Sequence, residues 1–293
     1  MNLSYDSIRT RRSIRSFDGL PLSPADSLAI EKAFDECLPA PFGSSPRFLL
    51  VASGLIGSKD DPKIREGRIG TYGLISRVPA FVVGAVARGP RALEDFGYAM
   101  EGLVLRLAEL GLGSCWIGGL FDRSAAAAAL GLGSDELMPA VLAIGKEAKR
   151  RTVPDRLTRV AARGDSRKPA SELFFDSDFD RPLAISARDS GLLEAVRLGP
   201  SASNKQPWRI LRDRAGSTFH LHLEEDRLYN SALGEIHIQN IDMGIAMRHF
   251  EVAARAQEML GSWRRLEHDP VGYFPGNHAK PPMAALSDFR SKY

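Results

Sequence analysis

The chain has 293 residues, of which 44% are hydrophobic and 26% are charged. These values are typical of globular proteins and exclude bulk disorder and fibrous architectures. With 39 Lys and Arg against 36 Asp and Glu, the net charge is +3, which is too balanced for a dedicated nucleic-acid binder. At roughly 150 residues per domain, the length predicts one large domain or two ordinary ones.

Cysteine content and the N-terminal residues bear on the cellular compartment. The two cysteines, Cys37 and Cys115, are too few for a disulfide framework or a four-cysteine zinc site. The first residues lack the basic and apolar regions of a signal peptide. The longest apolar stretch, residues 78–87, is about half of a membrane span. We therefore expect a cytoplasmic protein in a reducing environment, without a membrane anchor.

Hydrophobic periodicity, capping residues and breakers predict the helices and strands in chain order. The first half is predicted to contain a helix capped by Ser4 or Asp6, a helix from Pro24 to about Cys37, strands at 48–52 and 78–87, helices at 93–110 and 124–130, and a strand at 137–144. The second half is predicted to contain a helix at 188–198, strands at 208–212 and 218–223, and a helix at 241–259. The glycine-rich residues 54–73 are predicted to form a surface excursion over a pocket.

The two halves resemble each other in sequence. Residues 95–100 (DFGYAM) open one long predicted helix, and residues 242–247 (DMGIAM) open the other 147 positions later; the same offset carries Trp116 onto Trp263. Both helices are followed by a Gly-Ser-Trp-like segment, which we interpret as a turn. Several matches in the same order favour an internal duplication. Residues 1–150 then form a first unit, residues 151–169 a linker and residues 170–293 a second unit.

Two basic clusters are candidates for anion binding. The first consists of Arg11, Arg12, Ser13 and Arg15, and the second, which follows the strand predicted at 137–144, consists of Lys146, Lys149 and Arg150. A guanidinium offers a planar fork for phosphate oxygens, and a serine adds a hydroxyl donor. The alternatives are a solvated face for the first cluster and a solvated basic linker for the second, and the residues alone leave these alternatives open.

Two loops are candidates for holding a planar ligand. Residues 200–208 (PSASNKQPW) are rich in Ser, Asn and Gln, whose side chains both donate and accept hydrogen bonds and could bind the edge of a heterocycle. Residues 113–119 (GSCWIGG) contain glycines that allow a backbone to approach a ligand, but they lack the third glycine of a dinucleotide fingerprint. The alternatives are an ordinary turn before a strand for the first loop and a tight helix-to-strand turn for the second.

Together these motifs resemble the FMN-dependent nitroreductase family. The opening Arg-Arg-Ser-x-Arg is similar to the family's flavin-phosphate motif, and residues 200–208 are similar to its Pro-Ser-x-x-Asn-x-Gln-Pro-Trp loop almost letter for letter. The resemblance implies an α+β fold of two similar halves, each with a mostly antiparallel sheet flanked by helices. The halves are expected to pack through their long helices.

The distribution of these motifs differs from that of the usual family member, a homodimer of shorter chains in which each flavin contacts both subunits. Here the Arg-Ser motif lies in the first half and the intact loop in the second. Residues 41–46 lack the Asn and Gln of the loop, and residues 173–177 lack a basic residue. The resemblance therefore implies a fused pseudo-dimer that keeps one complete site. We expect a monomer, with a homodimer as the alternative.

The resemblance also implies roles for individual residues. The resemblance implies that Arg11 and Ser13 bind the FMN phosphate, assisted by Lys146 and by Lys149 or Arg150. Arg12 belongs to the same motif and is implied as a cofactor-binding residue. Arg15 is implied at the flavin N1/O2 edge, where it would stabilise negative charge. Those implied along the ring and ribityl chain are Ser201, Ser203, Asn204 and Gln206, and Pro200 and Ala202 are implied as cofactor-binding residues of the same loop. The backbone N–H groups of Ile117, Gly118 and Gly119 are implied to face N5.

The implied activity is hydride transfer from NADH or NADPH, through FMN, to a small-molecule acceptor such as a nitroaromatic or a quinone. Because the flavin carries the redox chemistry, neither a catalytic side chain nor a metal is expected. The alternatives are a flavin-binding protein without turnover and a vestigial scaffold.

Overall fold

A computed structural model describes residues 2–53, 75–119, 121, 123–149, 166–214, 218–227, 229, 234–259, 261–264, 271–272 and 283–291. The predicted surface excursion at 54–73, most of the predicted linker and Arg150 lie outside the described residues. No helix in the described part of the chain is long and apolar enough to cross a membrane.

The first half of the chain forms an antiparallel sheet with helices. Its elements are α1 (Tyr5–Thr10), α2 (Pro24–Glu36), β1 (Arg47–Ala52), β2 (Ala80–Ala87), α3 (Ala92–Glu109), β3 (Gly113–Ile117), α4 (Arg123–Leu130), β4 (Glu136–Leu137) and β5 (Val141–Gly145). The strands are ordered β1-β2-β5-β3, and β4 pairs with β2. Along β2, alternate side chains face opposite sides: Val82 and Val86 pack in the cluster that contains α3, whereas Val83 and Ala85 pack in the cluster that contains α4.

The second half forms a larger sheet. Its elements are β6 (Phe174–Asp176), β7 (Asp178–Pro182), α5 (Ala187–Leu198), β8 (Trp208–Arg212), β9 (Thr218–Glu224), α6 (Ile238–Ala256), β10 (Gly261–Arg264), β11 (Val271–Gly272) and β12 (Met283–Ser291). The strands are ordered β10-β12-β9-β8-β6-β7, and β11 pairs with β12. The pairing of β6 with β8 is parallel, and the other pairings are antiparallel. The order β8-β9-β12-β10 repeats the order β1-β2-β5-β3, with α3 and α6 at corresponding places in the chain.

Side-chain caps place the starts of three helices. Ser4, Ser23 and Ser186 each accept a hydrogen bond from the backbone N–H two or three residues later, which satisfies a donor that has no partner within the helix. Pro24 occupies the first turn of α2, where its missing N–H costs nothing. These signals are local, and the predicted starts of all three helices are confirmed to within a residue or two.

Helices α3 and α6 form the centre of the molecule. Both are buried along most of their length, and they pack against each other. Gly97 and Gly244 make this close crossing possible. A Cβ on Gly97 would collide with the carbonyl oxygen of Ile241, and a Cβ on Gly244 would collide with that of Glu94. Since residues 94 and 97 lie 147 positions before residues 241 and 244, the two contacts are reciprocal.

Several sequence-based predictions are wrong in detail. The strand predicted at 137–144 is two strands, β4 and β5, separated by residues around Pro139, which lacks the N–H needed for a continuous ladder. The Gly-Ser-Trp segments predicted as turns are strands β3 and β10. Helix α6 begins at Ile238 and ends at Ala256, three residues earlier at each end than predicted. Strands β6, β7, β11 and β12 were not predicted.

Candidate active site

The Arg-Ser motif lies along the edge of the first sheet, beside β3. Ser13 forms a parallel bridge with Ser114, and the Ile14 N–H donates to the Ser114 carbonyl at 2.8 Å. Gly113 allows this approach, because a Cβ there would lie 2.8 Å from the Ile14 side chain. The motif is thereby fixed to the strand that leads into the Ile117–Gly119 segment.

The second basic cluster runs antiparallel to the residues that follow the motif. The Asp18 N–H donates to the Lys146 carbonyl at 2.9 Å, and the Ala148 N–H donates to the Ser16 carbonyl at 2.9 Å. Lys146 and Lys149 therefore belong to a segment that adjoins the chain directly after Arg15. The structure brings these two predicted basic clusters into neighbouring segments.

The Pro-Ser loop, residues 200–207, has an unusual backbone. Ser203, Asn204 and Gln206 have φ values of 49°, 55° and 48°, in the left-handed region that non-glycine residues rarely adopt. Such conformations cost about 1–3 kcal/mol each and persist only where the surroundings hold them. Here the Gln206 N–H donates to the Ser201 Oγ at 2.8 Å, and the Asn204 Nδ2 donates to the Ser166 carbonyl at 3.0 Å.

Two arginines from different parts of the chain meet at the entrance of this loop. The Arg11 Nη2 and the Arg167 Nη2 donate to the same carbonyl, that of Leu198, at 3.4 and 3.2 Å. The Arg167 Nη1 lies 3.4 Å from the Asn204 Oδ1. Two guanidiniums at one carbonyl repel each other, so an anion at this place would be favoured. Arg167 was not predicted as a site residue, although it lies near the end of the predicted linker, residues 151–169.

The Gly118 segment reaches the start of α6. A Cβ on Gly118 would lie 2.5 Å from the Ile238 Cδ1, and the Gly118 carbonyl accepts a hydrogen bond from the Arg123 Nη2 at 2.6 Å. Ile117 is buried at the end of β3, and Gly119 follows in the turn. A residue larger than glycine at position 118 would require the end of the Ile238 side chain to move.

These contacts form a closed circuit around one place in the fold. Ser13 pairs with β3, and β3 leads to Gly118 at the start of α6. From α6, the Asp242 Oδ1 accepts the Ala202 N–H at 2.9 Å, and the loop leads back to Leu198 and thus to Arg11. The circuit thus joins the Arg-Ser motif and the Ile117–Gly119 segment of the first half to the Pro-Ser loop of the second half.

Among the described residues, Asp242 anchors the loop with one of its carboxyl oxygens. It is 2% exposed, and its Oδ2 has no hydrogen-bond partner among the described residues. Burial raises the pKa of Asp242 well above its ordinary value, because the charged form is poorly solvated there. Asp95, at the corresponding place on α3, accepts the N–H groups of Phe42 and Ser44 with its two oxygens, at 2.9 and 2.8 Å.

A buried carboxylate lies behind the site at the crossing of α3 and α6. Glu101 is fully buried and accepts a hydrogen bond from the Trp116 Nε1 at 2.8 Å. Its Oε1 lies 2.8 Å from the His249 Nε2 and 3.9 Å from the Arg11 Nε. The His249 Nδ1 donates to the Ala195 carbonyl, since a carbonyl can only accept. Sequence patterning gave no signal for this network, because its members lie far apart in the chain.

A cavity of about 460 Å³ adjoins the outer side of the loop, lined by Lys168, Lys205, Pro207, Glu224 and Asp226 among others. The Lys205 ammonium pairs with Asp226 at 3.0 Å. Nearby, the Tyr229 hydroxyl lies 2.8 Å from the Ser203 Oγ. Tyr229 was not predicted as a site residue, and no motif in the sequence marks it.

The architecture is that of a nitroreductase-like α+β protein. A structure from Thermotoga maritima, described as a "putative nitroreductase", superposes with a TM-score of 0.57 at 15% identity, covering 99% of this chain and 94% of that chain. Residues 4–254 match the model of the family described as "Putative TM nitroreductase". The chain belongs to this family.

Shorter solved structures also match part of the chain. An FMN-bound nitroreductase from Bacteroides fragilis is 25% identical over 50% of this chain and 92% of that chain, with a TM-score of 0.37. An FMN- and NADPH-dependent nitroreductase from a Sphigopyxis strain is 20% identical over 52% and 92% of the two chains, with a TM-score of 0.40. No curated protein matches the chain by sequence.

Proposed function

We propose that this protein is an FMN-dependent oxidoreductase that takes hydride from NADH or NADPH and reduces a nitroaromatic, a quinone or a similar small acceptor. The observation that carries the proposal is the closed circuit, which joins the Arg-Ser motif of the first half to the Pro-Ser loop of the second. Membership of the nitroreductase family supports the same reaction class.

The residues around the circuit fit a flavin nucleotide. The Arg-Ser motif, Lys146, Lys149 and the Arg11–Arg167 pair supply cationic and hydroxyl donors suited to a phosphate. The Pro-Ser loop supplies amide and hydroxyl groups suited to a polar ring edge, in a backbone conformation that its surroundings hold in advance. FMN would supply the two-electron redox chemistry when bound, while this chain binds, orients and electrostatically tunes it.

The residues of the chain then have distinct tasks. Arg11, Arg12, Ser13 and the lysines hold the phosphate end, and Arg15 stabilises negative charge near the ring. Ser201, Ser203, Asn204 and Gln206 orient the ring and ribityl chain, and the backbone at Ile117–Gly119 lines the side where hydride is exchanged. None of these tasks requires a proton to be removed from a substrate by a side chain.

We further propose that the chain is an internally duplicated pseudo-dimer with one flavin site. The repeated strand order, the reciprocal glycine contacts and the corresponding carboxylates Asp95 and Asp242 support the duplication. The loop at 41–46 lacks Asn and Gln, which supports a single site. A monomer suffices for such a site because both contributing halves are in one chain.

The first experiment is flavin loading followed by gel filtration and a visible spectrum. We expect close to one FMN per chain, and two would contradict the single site. The variant Asn204→Ala should lose flavin, whereas Ser45→Ala, at the corresponding place in the first loop, should retain it. Arg15→Ala should also weaken binding, and Arg9→Ala, an exposed arginine in α1, is its control.

The second experiment separates turnover from binding. Anaerobic addition of NADH or NADPH should bleach the flavin absorbance, and a quinone or nitroaromatic should restore it. Bound flavin that neither donor reduces would instead indicate a flavin-binding protein without turnover. A folded chain that takes up no flavin would indicate a vestigial scaffold.

A further inference from the structure

The left-handed residues of the Pro-Ser loop need support from outside the loop. Asp242 supports its beginning through the Ala202 N–H. At its end, Gln206 combines a φ of 48° with 2% exposure, so its backbone carbonyl must be satisfied within the protein. The group that satisfies this carbonyl determines whether the end of the loop stays in its strained conformation.

That group is the guanidinium of Arg209, on strand β8. Its Nη1 donates to the Gln206 carbonyl at 3.0 Å and to the Trp208 carbonyl at 2.6 Å. The intervening Pro207 carbonyl accepts the Glu224 N–H at 2.8 Å. Three successive carbonyls at the end of the loop are therefore held by two residues, Arg209 and Glu224.

The charge of Arg209 is balanced inside the protein. Its side chain is 6% exposed, and its Nη2 pairs with the Glu224 carboxylate, which also lies 3.6 Å from the Lys168 ammonium. Lys168 also contacts the Pro-Ser loop, because its backbone N–H donates to the Gln206 Oε1 at 3.0 Å. Arg209 thus holds the backbone of Gln206, while Lys168, which pairs with the same carboxylate, holds its side chain.

We propose that Arg209 is a positioning residue that holds the Pro-Ser loop in the conformation that receives the flavin ring. This inference rests on the proposed function. Arg209 touches the loop backbone and need not touch the flavin. Its planar fork suits a site with two carbonyls and a carboxylate, which an ammonium group serves less completely.

The same strand offers a matched control. Arg212, which is partly buried, is likewise paired with carboxylates, at 2.9 Å from Asp189 and 3.6 Å from Asp176. It makes no contact with residues 200–207 among the hydrogen bonds and ion pairs of the described residues. Arg209→Met and Arg212→Met both remove a guanidinium from β8, but only the first removes the support of the loop.

The test measures the dissociation constants of FMN and riboflavin for folded wild type and both variants, well below their unfolding temperatures. If removal of the Arg209 guanidinium leaves the Pro-Ser loop in its binding conformation for about one tenth of the time, flavin affinity falls about tenfold. We expect Arg209→Met to weaken the binding of FMN and of riboflavin by this common factor, because the loop is proposed to receive the flavin ring that both ligands share. Arg212→Met should leave both affinities unchanged.

A second variant covers the case in which Arg209→Met fails to fold. Arg209→Lys keeps the positive charge opposite Glu224. It is expected to weaken the binding of both flavins as well, but by a smaller factor than Arg209→Met. Unchanged flavin affinity in the folded Arg209 variants, or equal losses in the Arg212 variant, would overturn the positioning role alone. A wild-type protein that binds neither flavin would overturn the proposed function together with it.

Discussion

Gly97 and Gly244 lie 147 positions apart in the chain and press against each other's helices at the same crossing. Each leaves room for a backbone carbonyl of the opposite helix, that of Ile241 for Gly97 and that of Glu94 for Gly244. Because the obstacle is backbone, no side-chain rotation can make room for a methyl group at either position.

The first prediction follows from this packing. Gly97→Ala and Gly244→Ala should each destabilise the protein by at least about 1–3 kcal/mol, the usual cost of overpacking a core. Gly191→Ala in α5 is the control, since its Cβ would meet only the end of the flexible Gln257 side chain. Urea unfolding of the three variants would check this, and equal stability of all three would contradict the helix crossing.

The second prediction uses the two corresponding carboxylates. Asp95→Asn should cost about 1–3 kcal/mol, because Asp95 accepts two backbone N–H groups and an amide oxygen replaces only one acceptor. Asp242→Asn keeps the acceptor for Ala202 and places an NH₂ where the Oδ2 has no partner among the described residues. Since the raised pKa of Asp242 penalises folding above the ordinary carboxyl pKa, this variant should be neutral or more stable near pH 7. Thermal unfolding of the two variants in parallel near pH 7 would measure both changes in stability.

The third prediction concerns pH and His222 on β9. Its two ring nitrogens have no hydrogen-bond partner among the described residues, and burial, aided by nearby His220, lowers its pKa to about 4. Above about pH 6.5 both folded and unfolded chains hold the neutral ring, so its contribution is complete. As the pH falls from about 6.5 to about 4, only the unfolded chain takes up the proton, and up to about 3 kcal/mol of stability is lost.

A pH series of denaturant unfolding would measure this loss. His222→Phe keeps an aromatic ring beside Phe179 but cannot titrate, so its stability should depend less on pH in this window. The control is His237→Gln, at an exposed position, which should show the wild-type dependence. A wild-type curve as flat as that of His222→Phe would contradict the buried, neutral assignment.

The fourth prediction concerns the thiols. Cys37 and Cys115 are both buried, and burial raises the pKa of Cys37 to about 12. Because the thiolate is the reactive form, Ellman's reagent at pH 8 should label neither cysteine in the folded protein and both after denaturation. Rapid labelling of one thiol in the native protein would show that its part of the core is open.

Local signals made the helices predictable from sequence. Ser23 followed by Pro24 specifies the start of α2 regardless of what surrounds it, and the many apolar residues of α3 identify it as a long buried helix. The strands β3 and β10 were interpreted as turns because their Gly-Ser starts are typical of turns. Their strand conformation depends on pairing with β5 and β12, which no neighbouring residue reveals.

The candidate site divides in the same way. The Pro-Ser loop and the Arg-Ser motif could be predicted as candidate binding residues from their consecutive polar and basic side chains. Asp242 and Arg209 were not, since each supports the loop through contacts that exist only after folding. An aspartate in the first turns of a helix usually serves its own helix, and nothing in the sequence shows that Asp242 binds Ala202, 40 residues earlier.

The crossing of α3 and α6 contains one more pair of corresponding contacts. Glu101 meets His249, whereas Arg248 lies against Gly102, and the offset of 147 residues carries the first contact onto the second. In a dimer of identical subunits, these two contacts would consist of the same residues. Under the duplication proposed above, a single gene encoding both sides could change the two contacts separately, and in this chain they are chemically different. Two copies of the first half would set Glu101 against Gly102, without an imidazole partner. Under the proposed duplication, these two different contacts would favour pairing between the two halves over pairing of either half with a copy of itself.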